Sequence, residues 1–216
     1  MKIEVLKDIT SANDAIAAQN RQIIDKHKIL ALNIMASPGA GKTSLILQTI
    51  NHLRDKFKLA VIEGDVASKI DADRIDKEGI PVVQINVGGS CSLEAQMITP
   101  ALDKLPLDNI DLLFIENVGN LICPAEFALG EHKKLLISSI PEGDDKPTKY
   151  PLMFSEVDAV LINKLDLLPH VEFDLASFRK IIEGLNPKVK IFEISCKTGT
   201  GIDDWCSWIA SEVKKS

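Results

Sequence analysis

Short apolar runs recur along the chain, each closing on or running into a polar residue and all but one followed by a segment with helical spacing. They lie at 29–36, 59–63, 82–86, 112–116, 159–163 and 190–194. Runs of this length without polar alternation read as parallel strands buried on both faces. The intervening stretches 43–56, 68–79, 92–104, 171–185 and 201–215 carry helical patterning. Such alternation predicts an α/β fold: a doubly wound, mostly parallel sheet flanked by helices, with ligands gathered at the strand C-termini. Ahead of the first strand, Thr10 and Ser11 are expected to cap a helix reaching about Lys28, with Ala15, Ile16, Ile23 and Ile24 on one stripe. The predicted organisation is a helical segment over 1–28 and a single domain over 29–216. The stretch 141–151, rich in Pro, Gly and charge, reads as a loop, either a surface excursion or a partner contact.

Composition narrows the classes. A chain of 216 residues with 45% hydrophobic content can bury the core of one such domain. Its net charge of −6, with no basic stripe, argues against nucleic acid as the main partner. Met1 to Asp8 is charged throughout, and nothing approaches 18 uninterrupted apolar residues, so a cytoplasmic protein without a membrane span is expected. The four cysteines, Cys91, Cys123, Cys196 and Cys206, lie far apart, which in a reducing compartment suggests thiols or metal ligands more than a disulfide framework. Cys206, beside Trp205 on a helical pattern, reads as packing.

The first strand passes directly into Ser37-Pro38-Gly39-Ala40-Gly41-Lys42-Thr43-Ser44 and then a helix, which is the pattern of a phosphate cradle, or P-loop. Gly39 and Gly41 let backbone N–H groups approach phosphate oxygens, Lys42 reaches the β and γ phosphates, and the Thr43 hydroxyl ligates Mg²⁺ at a positive helix N-terminus. Ala36 stands where the usual pattern has its first glycine. A later strand ends in Asn163-Lys164-Leu165-Asp166, an arrangement in which the Asp carboxylate accepts two N–H donors from guanine. Adenine does not offer that pair, so GTP is expected over ATP. Ser195-Cys196-Lys197-Thr198-Gly199 matches the loop whose backbone donates to guanine O6.

Glu116, with Gly119 in register, occupies the place of a D-x-x-G acid and is expected to hold Mg²⁺ directly or through water. Asp71 is the other expected Mg²⁺ ligand, and Asp65 a water-orienting group, although either could be only an acid at a helix start. Cys91 and Cys123 both follow strand ends and could meet on one face, where two thiolates would favour Ni²⁺ or Zn²⁺. A symmetric dimer would bring four together. Two buried structural cysteines are the competing reading.

These motifs, together with Glu63-Gly64-Asp65, Asp71-Ala72-Asp73-Arg74-Ile75, the run from Glu116 through Asn117-Val118-Gly119-Asn120-Leu121-Ile122 to Cys123-Pro124, and Leu167-Leu168-Pro169, closely resemble the HypB-type hydrogenase nickel-incorporation GTPases. The likeness covers nearly the whole chain, and the run from Glu116 to Pro124 separates it from the related urease accessory GTPases. The resemblance implies a slow GTP-dependent metallochaperone that supports nickel delivery to a [NiFe]-hydrogenase large subunit. It also implies nucleotide-promoted dimerisation and a small zinc-containing accessory protein as partner. By family pattern Thr43, Asp71 and Glu116 surround Mg²⁺; Asn163, Lys164, Asp166 and Lys197 surround guanine; and the apolar pair Leu167 and Val171 makes the dimer contact.

The family commonly has Cys-His where this chain has Cys91-Ser92, and a hydroxyl is a much poorer ligand for Ni²⁺ or Zn²⁺ than imidazole. His27, His52, His132 and His170 are widely spaced and no cysteine precedes Cys91, so no nickel store is expected. The expected chemistry has Lys42 and the loop amides stabilising charge on the transferred phosphoryl group, with water as nucleophile and no evident general base. Two other classes remain open: a small-molecule kinase, and a regulatory GTP-binding partner of another metalloenzyme such as urease or a cobalamin enzyme.

Overall fold

The computed structural model describes residues 8–65 and 70–215. In chain order its elements are α1 Asp8–Lys26, β1 Leu30–Ala36, α2 Lys42–Leu53, β2 Leu59–Asp65, α3 Ile70–Asp76, β3 Val82–Asn86, α4 Ala95–Leu102 and β4 Leu112–Gly119. They continue with α5 Cys123–Glu126, β5 Lys133–Ser139, α6 Lys146–Lys149, α7 Pro151–Ser155, β6 Ala159–Asn163, α8 Leu175–Leu185, β7 Lys190–Glu193 and α9 Ile202–Val213. The strands form one seven-stranded sheet in the order β3-β2-β4-β1-β5-β6-β7, and every pairing is parallel. Strand order reverses around β1, so the loop leaving its C-terminus opens at the crevice where such sheets bind ligands.

Side-chain alternation along each strand divides the interior into layers. Leu30, Leu32 and Ile34 of β1, Leu59 and Val61 of β2, and Leu112 and Phe114 of β4 all join the core under α2 and α9. Ala31, Ala60, Ile62, Leu113 and Ile115 face the opposite side, toward α1 and α4, with Ile24, Ile98 and Leu102. A third cluster under α7 and α8 holds Met35, Leu136, Phe154, Val160, Phe178 and Ile182. Trp205 of α9 is fully buried and its indole N–H donates to Thr49 of α2 at 2.9 Å, locking the two helices together.

The sequence pattern is corrected in several places. It leaves out β5, whose apolar stretch is only Leu135–Leu136–Ile137 between two lysines and two serines. This strand nevertheless lies beside β1 at the centre of the sheet, with Lys133 Nζ reaching Asp158 at 3.1 Å and Lys134 Nζ donating to the Ala125 carbonyl at 3.3 Å. The expected loop at 141–151 instead carries α6 and α7, each with proline in its first turn, where the missing N–H is no loss. Thr10 and Ser11 lie inside α1 rather than capping it, and α1 stops at Lys26 because Lys28 turns left-handed at φ 56°. α8 begins at Leu175, capped by the Asp174 carboxylate accepting from the Ser177 N–H; Val171 lies before it in extended backbone.

α1 is tied to the sheet domain by polar contacts as well as by Ile24. Asn20 is fully buried; its amide donates to the Ala95 carbonyl at 2.9 Å and the Leu129 carbonyl at 3.1 Å, and its oxygen accepts from the Thr99 hydroxyl at 2.7 Å. Replacement by alanine removes all three bonds at once. Asn20→Ala is therefore expected to lower unfolding free energy by about 2–4 kcal/mol. Urea denaturation measures this, and a loss below about 1 kcal/mol would contradict the assignment of these bonds.

Candidate functional site

The loop from Ser37 to Gly41 joins the buried end of β1 to α2. Ala36 is fully buried and is the last residue of β1, so no glycine is demanded there. Gly41 caps α2 at φ 110°, a conformation open to glycine, and a Cβ on it would run into the Asn163 amide. Gly39 also has positive φ, at 75°. Behind the loop, a Cβ at Gly119 would lie 2.9 Å from Pro38 Cγ, so the end of β4 presses directly on the cradle.

Asn163 is the joint between three loops. It is 2% exposed; its amide donates to the Ala40 carbonyl at 2.9 Å, and its oxygen accepts from the N–H of Lys164 at 2.7 Å and of Cys196 at 3.2 Å. It therefore braces the cradle, and it also lines the neighbouring cavity. Lys164 sits left-handed at φ 62°, with Nζ donating to the Gly39 carbonyl at 2.7 Å. Backbone of this kind in a non-glycine residue concentrates at functional sites. The Ser195 hydroxyl donates to Asp166 Oδ1 at 2.6 Å and so aims that carboxylate. A cavity of about 310 Å³ is lined by Gly39, Gly41, Ser44, Asn163, Lys164, Asp166, Leu167, Cys196 and Lys197. Burial pushes the Cys196 thiol up to about 11, so it stays protonated and apolar beside this cavity.

On the other side of α2's first turn, acids gather. The Thr43 hydroxyl donates to Glu116 Oε1 at 2.8 Å, and Glu116 is 3% exposed. Glu63 of β2, also 3% exposed, stands directly opposite Glu116 in the parallel register, and one oxygen of each, Oε2, is buried without a hydrogen-bond partner. Burial, followed by Glu116, Asp65 and Asp71, pushes the Glu63 carboxyl up to about 8, while Lys42 opposes this. Burial pushes Glu116 up to about 7 against Lys42 and the Thr43 hydrogen bond. Two orphaned buried carboxylate oxygens beside a threonine hydroxyl suit a hard divalent cation. Asp65 ends β2 half-buried, and Asp71, on α3, pairs with Arg74 at 3.1 Å. Among the described residues no three His, Cys, Asp or Glu side chains converge as a ready metal cage. Mg²⁺ needs none where it draws ligands from phosphates and water.

Cys91 and Cys123 do meet, but as a disulfide with a Cα separation of 6.2 Å, which corrects the expectation of free thiols. The Asn120 amide donates to the Cys91 carbonyl at 3.3 Å and contacts Cys123 Sγ at 3.4 Å. Ser92 is 1% exposed and buried away from solvent. Cys206 is buried packing, as its pattern predicts. Sequence reasoning missed Glu63 as a site residue because it reads as a strand-end acid. The signal was its i, i+2 spacing from Asp65, which puts both on the face of Leu59 and Val61.

A central-strand loop of this geometry, with the Asp166 cavity on one side and an acid pair on the other, defines a P-loop nucleotide-binding protein. Residues 30–193 match the model of the CobW/HypB/UreG nucleotide-binding domain. The chain belongs to that family. It is 45% identical over 210 residues to the hydrogenase maturation factor HypB of Escherichia coli K12, covering 97% of this chain and 72% of the relative. It is 43% identical to the probable hydrogenase maturation factor HypB of Methanocaldococcus jannaschii, covering 99% and 96%. The crystal structure of HypB from Helicobacter pylori in complex with nickel superposes with a TM-score of 0.90 at 38% identity, covering 94% of this chain and 96% of that one. HypB from Archaeoglobus fulgidus gives 0.89 at 38% identity, covering 94% and 99%. The signal recognition particle receptor FtsY of Elizabethkingia anophelis, at 16% identity and a TM-score of 0.53 over 84% and 65%, shares the fold alone.

The acid pair sets a pH dependence. In the folded protein without metal both carboxyls keep protons above their ordinary value of 4.5, so that state binds more protons than the unfolded chain. Their favourable contribution is present below about pH 4.5 and is lost as pH rises through about 7 to 8. Metal-free protein is expected to lose on the order of 2 kcal/mol between pH 5 and pH 8. Melting followed by circular dichroism across that range checks it, and stability rising with pH would contradict the burial of this pair.

Proposed function

We propose that the chain is a GTP-binding, slowly GTP-hydrolysing metallochaperone that assists nickel insertion during [NiFe]-hydrogenase maturation in the cytoplasm. The reading is carried by one observation, the single 310 Å³ cavity that joins the cradle glycines to Asp166 and to the Cys196-Lys197 loop. Asp166, aimed by Ser195, accepts the two guanine N–H donors, and the backbone around Cys196 and Lys197 donates to O6. The cradle from Gly39 to Ser44 holds the phosphates, with Lys42 against the β and γ oxygens. Thr43, Glu116 and Asp71 would hold Mg²⁺, which supplies charge neutralisation on the phosphates when bound. Asp65, at the open end of β2, orients water. No general base is assigned, and hydrolysis with so little catalytic equipment is slow, as suits a switch. Calorimetry is expected to find GTP and GDP bound more tightly than ATP and ADP. Removing both charge-assisted acceptors in Asp166→Ala is expected to weaken GDP about 100-fold while leaving ADP binding unchanged. Equal weakening of both would place Asp166 outside base recognition.

The relatives and the nickel-bound neighbour support the client assignment, as do the two sulfurs beside the strand that carries Glu116. Once reduced, Cys91 and Cys123 present two thiolates, which prefer Ni²⁺ or Zn²⁺ to Mg²⁺. Two fill half a coordination shell, and a nucleotide-promoted homodimer through Leu167 and the 38% exposed Val171 supplies the rest. A small zinc-containing accessory protein is the expected partner, with the hydrogenase large subunit reached through it. Among the described residues no helix is long and apolar enough to cross a membrane. Reduced protein with Mg²⁺ and a non-hydrolysable GTP analogue should sediment as a dimer and bind nickel, while Cys91→Ala should dimerise equally and lose nickel. Unchanged nickel stoichiometry in the variant would remove Cys91 from the metal site.

A further inference from the structure

We propose that Glu63 positions the magnesium ion from a distance, its carboxylate accepting a hydrogen bond from a water molecule in the ion's coordination shell. This rests on the Mg²⁺–nucleotide reading above and adds a residue to it. The register that pairs Glu63 with Glu116 puts both side chains on the α2 face, because Leu59 and Val61 on β2 and Leu112 and Phe114 on β4 precede them on that face. Residues below them are apolar and well packed, so a leucine or glutamine would fill the Glu63 position without electrostatic cost. An acid there, 3% exposed and with Oε2 lacking a hydrogen-bond partner, keeps a buried acceptor that a donor carried by a bound ion would satisfy.

Reach decides how Glu63 would act. The cradle follows β1, β4 is its neighbour and β2 lies one strand further out. At about 4.8 Å per strand, Glu116 can approach a metal at Thr43 Oγ1, whereas Glu63 stands roughly another strand spacing away. Glu116 Oε1 is already hydrogen-bonded to that hydroxyl at 2.8 Å, fixing which carboxylate lies closer. Magnesium dehydrates reluctantly and keeps several waters, so a carboxylate one layer out meets water rather than the ion. The groups whose charge acts on Glu63 are Glu116, Asp65 and Asp71 on one side of the balance and Lys42 on the other. Asp71 is already paired with Arg74 at 3.1 Å, so Lys42 is the cation that opposes the Glu63 and Glu116 carboxyls at this corner.

The test uses the full chain bound to GDP, with Mn²⁺ replacing Mg²⁺ so that free and bound ion are counted by electron paramagnetic resonance. Glu63→Gln, equal in shape, is expected to weaken Mn²⁺ at least 10-fold while leaving GDP affinity in EDTA unchanged. Glu63→Asp keeps the charge but withdraws it by one methylene and is expected to fall between the two, so that a folding defect in either variant does not decide the matter. Thermal melts accompany both. A Gln variant with altered melting temperature and wild-type Mn²⁺ affinity would mark Glu63 as a packing residue and overturn the proposal. Wild-type protein that binds neither GDP nor Mn²⁺ would instead overturn the underlying nucleotide reading.

Discussion

The site depends on how Asn163 uses its amide. One side chain, buried under the cradle, gives its N–H to Ala40 and takes N–H groups from Lys164 and Cys196. These bonds hold together three loops from far-separated parts of the chain: the turn after β1, the turn after β6 and the turn after β7. Glycine at position 41 follows from the same packing, because the Asn163 amide occupies the space of its Cβ. Lys164 is driven left-handed at the point where it must cap the Gly39 carbonyl. The cavity beside the cradle is thus shaped by hydrogen bonds from one side chain to the backbone of three loops.

What was legible in the sequence is what acts locally. The strand-turn-helix of the cradle, the N-K-L-D turn and the Ser195-Cys196-Lys197 turn each carry their signal within a few residues, and the structure brings all three to one cavity. β5 was not legible because its pattern is set by tertiary neighbours: its lysines sit at the entrance of the sheet, where Asp158 and the Ala125 carbonyl satisfy them, and its serines are buried at the other end. Residues 141–151 misled for the reverse reason, since proline marks a helix start as readily as a loop. Nor could spacing alone say that Cys91 and Cys123 are joined, because 32 residues and an entire strand separate them.

A second constraint was equally invisible: the polar interior beside β1. Asn33, fully buried, donates to Glu131 Oε1 at 3.2 Å and accepts from Asn117 at 3.2 Å. Glu131 in turn accepts from the Leu129 N–H at 2.7 Å, and Asn117 accepts from the Leu93 N–H at 3.0 Å. Every link satisfies a group that would otherwise be stranded in a sheet core, and a single polar residue in an apolar run gives no sign of its partners. The result pins the segment before β5 and the segment after Cys91 to the same central strands.

These contacts also explain why β4 departs from ideal pairing. Its register against β1 slips between Ile34 and Ala36, where Glu116 and Gly119 are the partners, so one extra residue is accommodated on β4. Bulges of this kind re-aim side chains next to functional sites. Here Asn117 keeps the face of Leu113 and Ile115 and holds Leu93, Gly119 lies against Pro38, and Asn120 reaches the Cys91 carbonyl and the Cys123 sulfur. Glu116 beside Thr43 and Asn120 beside Cys123 are therefore separated by only three residues of a single strand, one of them pressed on the phosphate loop. Because interiors packed at this density do not deform smoothly, the position of β4's end is common to both sites.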